Sequence, residues 1–279
     1  MALASIFKTA RSQGRAAFVP YLMAGDPDIA TTQAMMTALT SAGADAIELG
    51  IPYGDPLADG PSIAAAGQRA LAGGTGITEV IALAERSRKA GGAPVIVFTY
   101  FNPVYQYGID AFARDAAAAG VAGVIVPDIA LEESEELRAV LNARGIDMPL
   151  LVAPSTPRDR AKRIAQASGG FVYVVSRLGV TGAGSAPDFT PLHAQMAMLR
   201  GITDKPLAVG FGISTAEHVR EVSQIADGFI VGSALIGAYS GRTGDAAAAN
   251  VLAYGRTLLG LPKRATSREF GSNTSPSRS

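Results

Sequence analysis

The sequence predicts an α/β protein, a (β/α)₈ barrel formed as a single domain, and three observations predict it. Eight short runs rich in Val, Ile and Phe alternate with Ala-rich segments of helical length, the order that demands a parallel sheet. The runs are continuously apolar, as strands covered on both faces must be. Three junctions also look alike, each taking a small-residue helix end into an apolar strand: SAGADAIELG from Ser41, AAGVAGVIVP from Ala118 and QIADGFIVGS from Gln224. Eight strands separated by helices close more readily as a barrel than they spread as an open doubly wound sheet, which is the rival arrangement.

In chain order, the strands are expected at about 17–23, 45–49, 94–99, 121–126, 149–153, 171–175, 206–209 and 228–231. The segment before the first carries Lys8, Arg11 and Arg15 and no acid. That composition suits a targeting peptide as well as a first helix. A helix is the reading adopted, because Ala17 already opens a strand. Two connections are long, 50–76 after the second strand and 176–188 after the sixth. Both follow strand C-termini, the face where barrels keep their chemistry. The barrel is expected to occupy 1–262. The stretch 263–279, ending SNTSPSRS, has no apolar periodicity and is expected to be a disordered polar tail.

Composition narrows the function. The 279 residues carry 24 basic and 24 acidic side chains, without the charge excess of a nucleic-acid or anionic-membrane binder. No apolar run approaches the length of a membrane span. With no cysteine there is no disulfide, thiolate nucleophile or cysteine metal site. His193 and His218 fall in helical segments without metal-ligand spacing and are read as surface residues, so no metal is expected. None of Lys8, Lys89, Lys162, Lys205 and Lys263 stands at a strand C-terminus, and Lys205 precedes the seventh strand, on the wrong face. Schiff-base and metal-dependent aldol chemistry are therefore poorly supported, and carboxylates or tyrosines must do the work.

Glu48 is the outstanding candidate. Strand alternation sends Ile47 and Leu49 to the helix side and Glu48 into the barrel mouth. Desolvation there raises a carboxyl pKa toward neutrality, as a general acid requires. A salt-bridged carboxylate at a strand end is the plainer alternative. The next segment, GIPYGDPLADGP from Gly50, is stiff and irregular and carries Asp55 and Asp59. Asp59 alone reads equally as a functional acid, a turn former or a helix N-cap ahead of Pro61 and Ser62. GFGI from Gly210 and GSA from Gly232 follow the seventh and eighth strands, where glycines let backbone N–H groups approach a phosphate. Tight turns without a ligand are the alternative. The SRLGVTGAG segment from Ser176 has the flexible glycines of a lid, or of a plain mobile loop.

These pieces together resemble the tryptophan synthase α subunit family from about Ile6 to Arg264. The resemblance is carried by PYLMAGDPD from Pro20, AGADAIELGIPYGDPLADGPSI from Ala42, VPDIALEES from Val126, SRLGVTGAG, GFGI and GSA. It implies retro-aldol cleavage of indole-3-glycerol phosphate to indole and D-glyceraldehyde 3-phosphate, in L-tryptophan biosynthesis in the cytoplasm. Glu48 and Asp59 would be the catalytic carboxylates, with Gly182, Gly212, Gly232 and Ser233 on the phosphate. Tyr21, Phe98, Tyr100, Ile125, Tyr173 and Thr181 would line the indole site or position its acids. The resemblance also implies a β subunit partner in an α2β2 heterotetramer, with pyridoxal phosphate in β and no cofactor in this chain. Asp55, Pro56, Asn102, Pro103, Pro127 and Asp128 are the candidate contacts with β. Leu178, Tyr53 and Gly54 depart from the family's commoner residues, the last two from Phe and Ser. Two other readings remain: a catalytically silent barrel that only activates β, and another phosphate-binding barrel, of which an indole-glycerol-phosphate synthase would be expected to use a strand-end lysine.

Overall fold

The computed structural model describes residues 3–176, 188–210 and 212–262. Its strands are β1 (Ala17–Met23), β2 (Ile47–Gly50), β3 (Val95–Phe98), β4 (Gly123–Ile125), β5 (Leu150–Val152), β6 (Val172–Val175), β7 (Leu207–Gly210) and β8 (Gly228–Val231). Around them lie α1 (Leu3–Ser12), α2 (Ile29–Ala42), α3 (Pro61–Ala72), α4 (Ile77–Lys89), α5 (Phe101–Tyr107), α6 (Ile109–Ala119), α7 (Glu135–Asn142), α8 (Arg158–Ala167), α9 (Thr190–Arg200), α10 (Ala216–Ile225), α11 (Ser233–Tyr239) and α12 (Gly244–Leu258). The stretch 263–279, expected to be a disordered tail, lies outside the described residues. Among the described residues, no helix is long and apolar enough to cross a membrane.

All strand pairs are parallel, in the order β4-β3-β2-β1-β8-β7-β6-β5. First and last strands are therefore neighbours, the signature of closure that a doubly wound sheet lacks. The seam between β4 and β5 is closed by a single bridge, Gly123 to Asp147. Two hydrogen bonds make it: Val124 N donates to Asp147 O at 2.9 Å, and Asp147 N to Ala122 O at 3.1 Å. The second strand begins later than expected because Asp45 is engaged elsewhere. Its carboxylate accepts from Phe18 N at 2.8 Å and pairs with Arg15.

The N-terminal segment is a packed helix. Leu3, Ile6, Phe7 and Ala10 of α1 are buried at the i, i+3, i+4, i+7 spacing of one helical face. They plug the end of the barrel opposite the strand C-termini. Gly123 and Gly228 open β4 and β8 because a Cβ at either would lie 2.5 Å from a carbon of Leu3 or Phe7. Phe7 also packs on Phe171 with ring centroids 5.0 Å apart. Elsewhere Asp28 caps α2, accepting from Thr31 N at 2.7 Å, and Gly43 ends that helix in the left-handed region at φ +106°.

One buried carboxylate ties three elements beside the barrel mouth. Asp26 follows β1, is 1% exposed, and is gripped by Arg69 of α3 through Nε–Oδ1 and Nη2–Oδ2 contacts of 2.8 and 2.9 Å. Tyr239 of α11 donates to the same carboxylate at 3.0 Å. Arg69→Leu leaves a desolvated anion with one donor, a costly arrangement that the partial exposure of the guanidinium softens. The expected loss is about 2 kcal/mol of folding free energy, read from the urea midpoint at an unchanged m-value. An unchanged midpoint would show that the ion pair contributes nothing net.

Candidate active site

At the C-terminal ends of the strands a cavity of ≈ 260 Å³ opens, lined by Tyr21 of β1, Glu48 of β2, Phe98 of β3, Tyr173 of β6 and Ile230 of β8. Asp59 and Ile63 cover it from the connection after β2 and the start of α3. Gly212, Ile213 and Ser214 after β7, with Gly232, Ser233 and Ala234 after β8, form its glycine-rich end.

Strand alternation works here as expected. Ile47 and Leu49 are fully buried, while Glu48, 2% exposed, faces the cavity beside its register partner Tyr21. Burial pushes the Glu48 carboxyl up to about 8, and the negative charge of Asp59 adds to the effect. Its Oε2 atom has no hydrogen-bond partner among the described residues. A carboxylate paired to a base would have neither property, and among the described residues no base pairs with Glu48. With its carboxyl pushed up to about 8 at the cavity wall, Glu48 is suited to give up a proton near neutrality.

The two tyrosines beside it fit because glycine ends the neighbouring strands. A Cβ at Gly50 would lie 2.2 Å from the Tyr21 hydroxyl, and one at Gly210 would lie 2.3 Å from that of Tyr173. Burial also drives both phenols far above their usual range, with Glu48 adding charge repulsion. Phe98 meets Tyr21 edge to face at 5.9 Å, completing an aromatic wall for a flat apolar ring.

Asp59 is not the helix cap that its sequence position also allowed. Gly60 holds the N-cap of α3 and Pro61 its first turn. Tyr100 instead fixes Asp59, donating to Oδ1 at 2.9 Å while accepting from Ala58 N at 3.0 Å. Burial raises the Asp59 pKa, and the Tyr100 bond opposes the rise. Tyr100 thus stands behind the acid rather than in the cavity. Ile125 is fully buried, beside Phe98 in the β3–β4 register and outside the cavity lining. Thr181 and Gly182 lie outside the described residues, with the rest of 177–187.

Sequence reasoning missed Ile63, Ile213, Ser214, Ile230 and Ala234. Ile230 was within reach, since alternation along β8 turns it inward, and Ile63 sits in the PSI of the long motif. His193 lies 3.1 Å from Glu221, joining α9 and α10 near the surface as expected. His218 is less peripheral than expected, with Nδ1 3.2 Å from the carbonyl of Gly212. Lys205 donates to the carbonyls of Gln166 and Ser168, at the C-terminal end of α8 and away from the cavity. Among the described residues, no cluster of His, Asp or Glu has the makings of a metal site.

The rim of the mouth is a linked set of loops. Asn102 donates to the Tyr53 hydroxyl at 3.3 Å, and Asp128 accepts from Phe101 N at 2.9 Å. Asp55, Asn102 and Asp128 are exposed there, and Pro56, Pro103 and Pro127 are half-buried. Leu57 and Tyr105 add apolar surface to the same rim, at 80% and 64% exposure.

Known proteins resemble this chain in sequence and in fold. The family model described as tryptophan synthase alpha chain matches residues 7–254. The chain is 51% identical over 236 residues to the tryptophan synthase alpha chain of Prochlorococcus marinus (strain MIT 9313), covering 84% of this chain and 85% of the relative. In the crystal structure of tryptophan synthase from M. tuberculosis, one chain superposes with a TM-score of 0.83 at 37% identity, over 92% of this chain and 97% of that one. The tryptophan synthase subunit alpha of Legionella pneumophila str. Paris gives 0.84 at 33% identity, over 92% and 97%. Sequence match and barrel agree, and the chain belongs to the tryptophan synthase alpha chain family.

Proposed function

We propose that this chain cleaves indole-3-glycerol phosphate to indole and D-glyceraldehyde 3-phosphate as the α subunit of a tryptophan synthase, in the cytoplasm. The observation that carries the reading is Glu48, buried at the floor of an aromatic cavity beside Asp59, where burial pushes its carboxyl up to about 8. Breaking the bond from indole C3 to the side chain needs a proton on C3 and the removal of one from the adjacent glycerol hydroxyl. Glu48 supplies the first from its acid form and, once ionised, accepts the second, so it ends as it began. The indole ring takes up the electron pair released on cleavage. Asp59 accepts the indole N–H and offsets the positive charge that C3 protonation puts on nitrogen, while Tyr100 holds it in place. No cofactor of this chain enters these steps.

The phosphate is assigned to the glycine-rich end: Gly212, Gly232 and Ser233, with Gly182 from the connection after β6. The first N–H groups of α11 have no acceptor inside the helix, which suits an anion. Ser233→Asp puts a negative charge against that anion. Affinity for glycerol 3-phosphate is expected to fall at least about tenfold with the fold retained, from the Coulomb repulsion of adjacent like charges. Unchanged affinity by calorimetry would move the phosphate elsewhere.

A β subunit fits the rim, where Asp55, Pro56, Asn102, Pro103, Pro127 and Asp128 accompany exposed Leu57 and Tyr105. On this reading the assembly is α2β2, with pyridoxal phosphate in β. The intact pair of acids speaks against a silent barrel. Incubating the purified chain with indole-3-glycerol phosphate, alone and with β, tests the assignment. Indole release supports it, and its absence in both mixtures refutes it.

A further inference from the structure

We propose that His218 and Tyr254 are positioning residues that clamp the connection after β7 from outside the barrel and so set the affinity of the site for the substrate's phosphate. The proposal rests on the assignment of the phosphate to the glycine-rich end. Gly212, Ile213 and Ser214 line that end, and Gly212 takes a left-handed φ of +79°. Backbone N–H groups bind an anion well only when they are already aimed at it, since ordering them on binding costs affinity.

Two side chains from two different helices supply that order. His218 of α10 holds the Gly212 carbonyl through Nδ1 at 3.2 Å. Tyr254 of α12 donates its hydroxyl to the Ser214 carbonyl at 2.7 Å. The C=O and N–H of a trans peptide point in opposite directions. Holding the Gly212 carbonyl therefore aims the N–H of Ile213, which lines the cavity, and holding the Ser214 carbonyl fixes the peptide plane at the loop's far end. In the tautomer whose Nδ1 carries the proton, the 3.2 Å contact is a hydrogen bond to the Gly212 carbonyl. In the other tautomer the same nitrogen accepts from Ser214 N at 3.4 Å, so either form grips the loop backbone.

The clamps themselves are held. Phe189 packs edge-on against the His218 ring at 5.9 Å. Thr215 directly follows the loop and caps α10, its hydroxyl accepting from His218 N at 3.1 Å. Val219 and Val222 anchor α10 in the core, as Ala247, Val251 and Leu258 anchor α12. Burial keeps the Tyr254 phenol protonated well above neutrality, so it remains a donor. Neither residue lines the cavity with Glu48 and Asp59, so loosening the clamp acts on substrate binding and leaves the bond-breaking groups in place.

The test uses the full-length chain, with calorimetry of glycerol 3-phosphate and steady-state cleavage of indole-3-glycerol phosphate. Tyr254→Phe and His218→Ala are each expected to raise Kd and KM about threefold to tenfold, the worth of one lost hydrogen bond. The maximal rate should stay within about twofold of wild type. His218→Asn, whose amide nitrogen reaches the Nδ1 position, should recover most of the affinity. Unchanged Kd in Tyr254→Phe and His218→Ala, with wild type binding normally, overturns the clamp alone. A fall in kcat at constant KM overturns it too, because that marks general damage to the barrel. Failure of wild type to bind glycerol 3-phosphate refutes the phosphate assignment first.

Discussion

Replacing Glu48 by glutamine is expected to lower indole formation at least about a hundredfold while leaving glycerol 3-phosphate binding near wild type. Glutamine fills the same space between Tyr21 and Tyr173 but has no proton to give. The wild-type pH profile should match. The acid form is the starting state, so the maximal rate should fall as pH rises through about 8. It should also fall at low pH, as Asp59 takes up a proton. The same substitution is expected to stabilise the fold. Below pH 4.5 Glu48 is protonated both folded and unfolded, and its burial carries no pH-dependent cost. Between there and about 8 the unfolded chain releases a proton that the folded chain retains, so stability declines as pH rises. At pH 7 the glutamine variant should therefore be more stable by up to ~3 kcal/mol. Denaturation at pH 5 and pH 7.5 decides it, since an equal gap at both values contradicts a raised pKa. Near-normal turnover in the variant would remove Glu48 from the mechanism.

Asp59→Asn is expected to be nearly as damaging, with cleavage down about a hundredfold. The amide oxygen can still accept from Tyr100 and from an indole N–H, so the loop keeps its shape. What disappears is the negative charge opposite the nitrogen. Asp59→Ala should do as badly, and Asp55→Ala in the isolated chain should do little, because Asp55 is exposed on the rim. Wild-type turnover in Asp59→Ala together with a dead Asp55→Ala would mean that the other loop carboxylate is the catalytic one.

The eight strands and the inward turn of Glu48 were legible because both follow from a local pattern, the two-residue period set in a continuous apolar run. Position after the seventh and eighth strands likewise marked the glycine-rich end. Asp59 was ambiguous for the opposite reason. Its role is settled by Tyr100, 41 residues away, whose hydroxyl reaches it only after β2 and β3 lie side by side. His218 looked peripheral on its helix, and nothing in its own segment announces that the helix brings Nδ1 to the Gly212 carbonyl. Asp26 fell inside a recognised motif, but its partners Arg69 and Tyr239 come from two distant helices. Contacts made by closure leave no periodic trace in the chain.

The single bridge between β4 and β5 makes the barrel mechanically uneven. The other neighbouring strands register two to four residues each, so β4 and β5 form the place where the cylinder unzips most cheaply. In native-state hydrogen exchange the amides of Val124 and Asp147 should lose protection before those of Leu49 and Leu22, and equal protection would show the wall to be uniform. The strand order puts β1 and β8 at the middle of the sheet, as far from this zipper as the circumference allows, with β2 next to β1. Tyr21 on β1 and Glu48 on β2 thus sit away from this zipper, and the wall can breathe on its far side while those two keep their spacing.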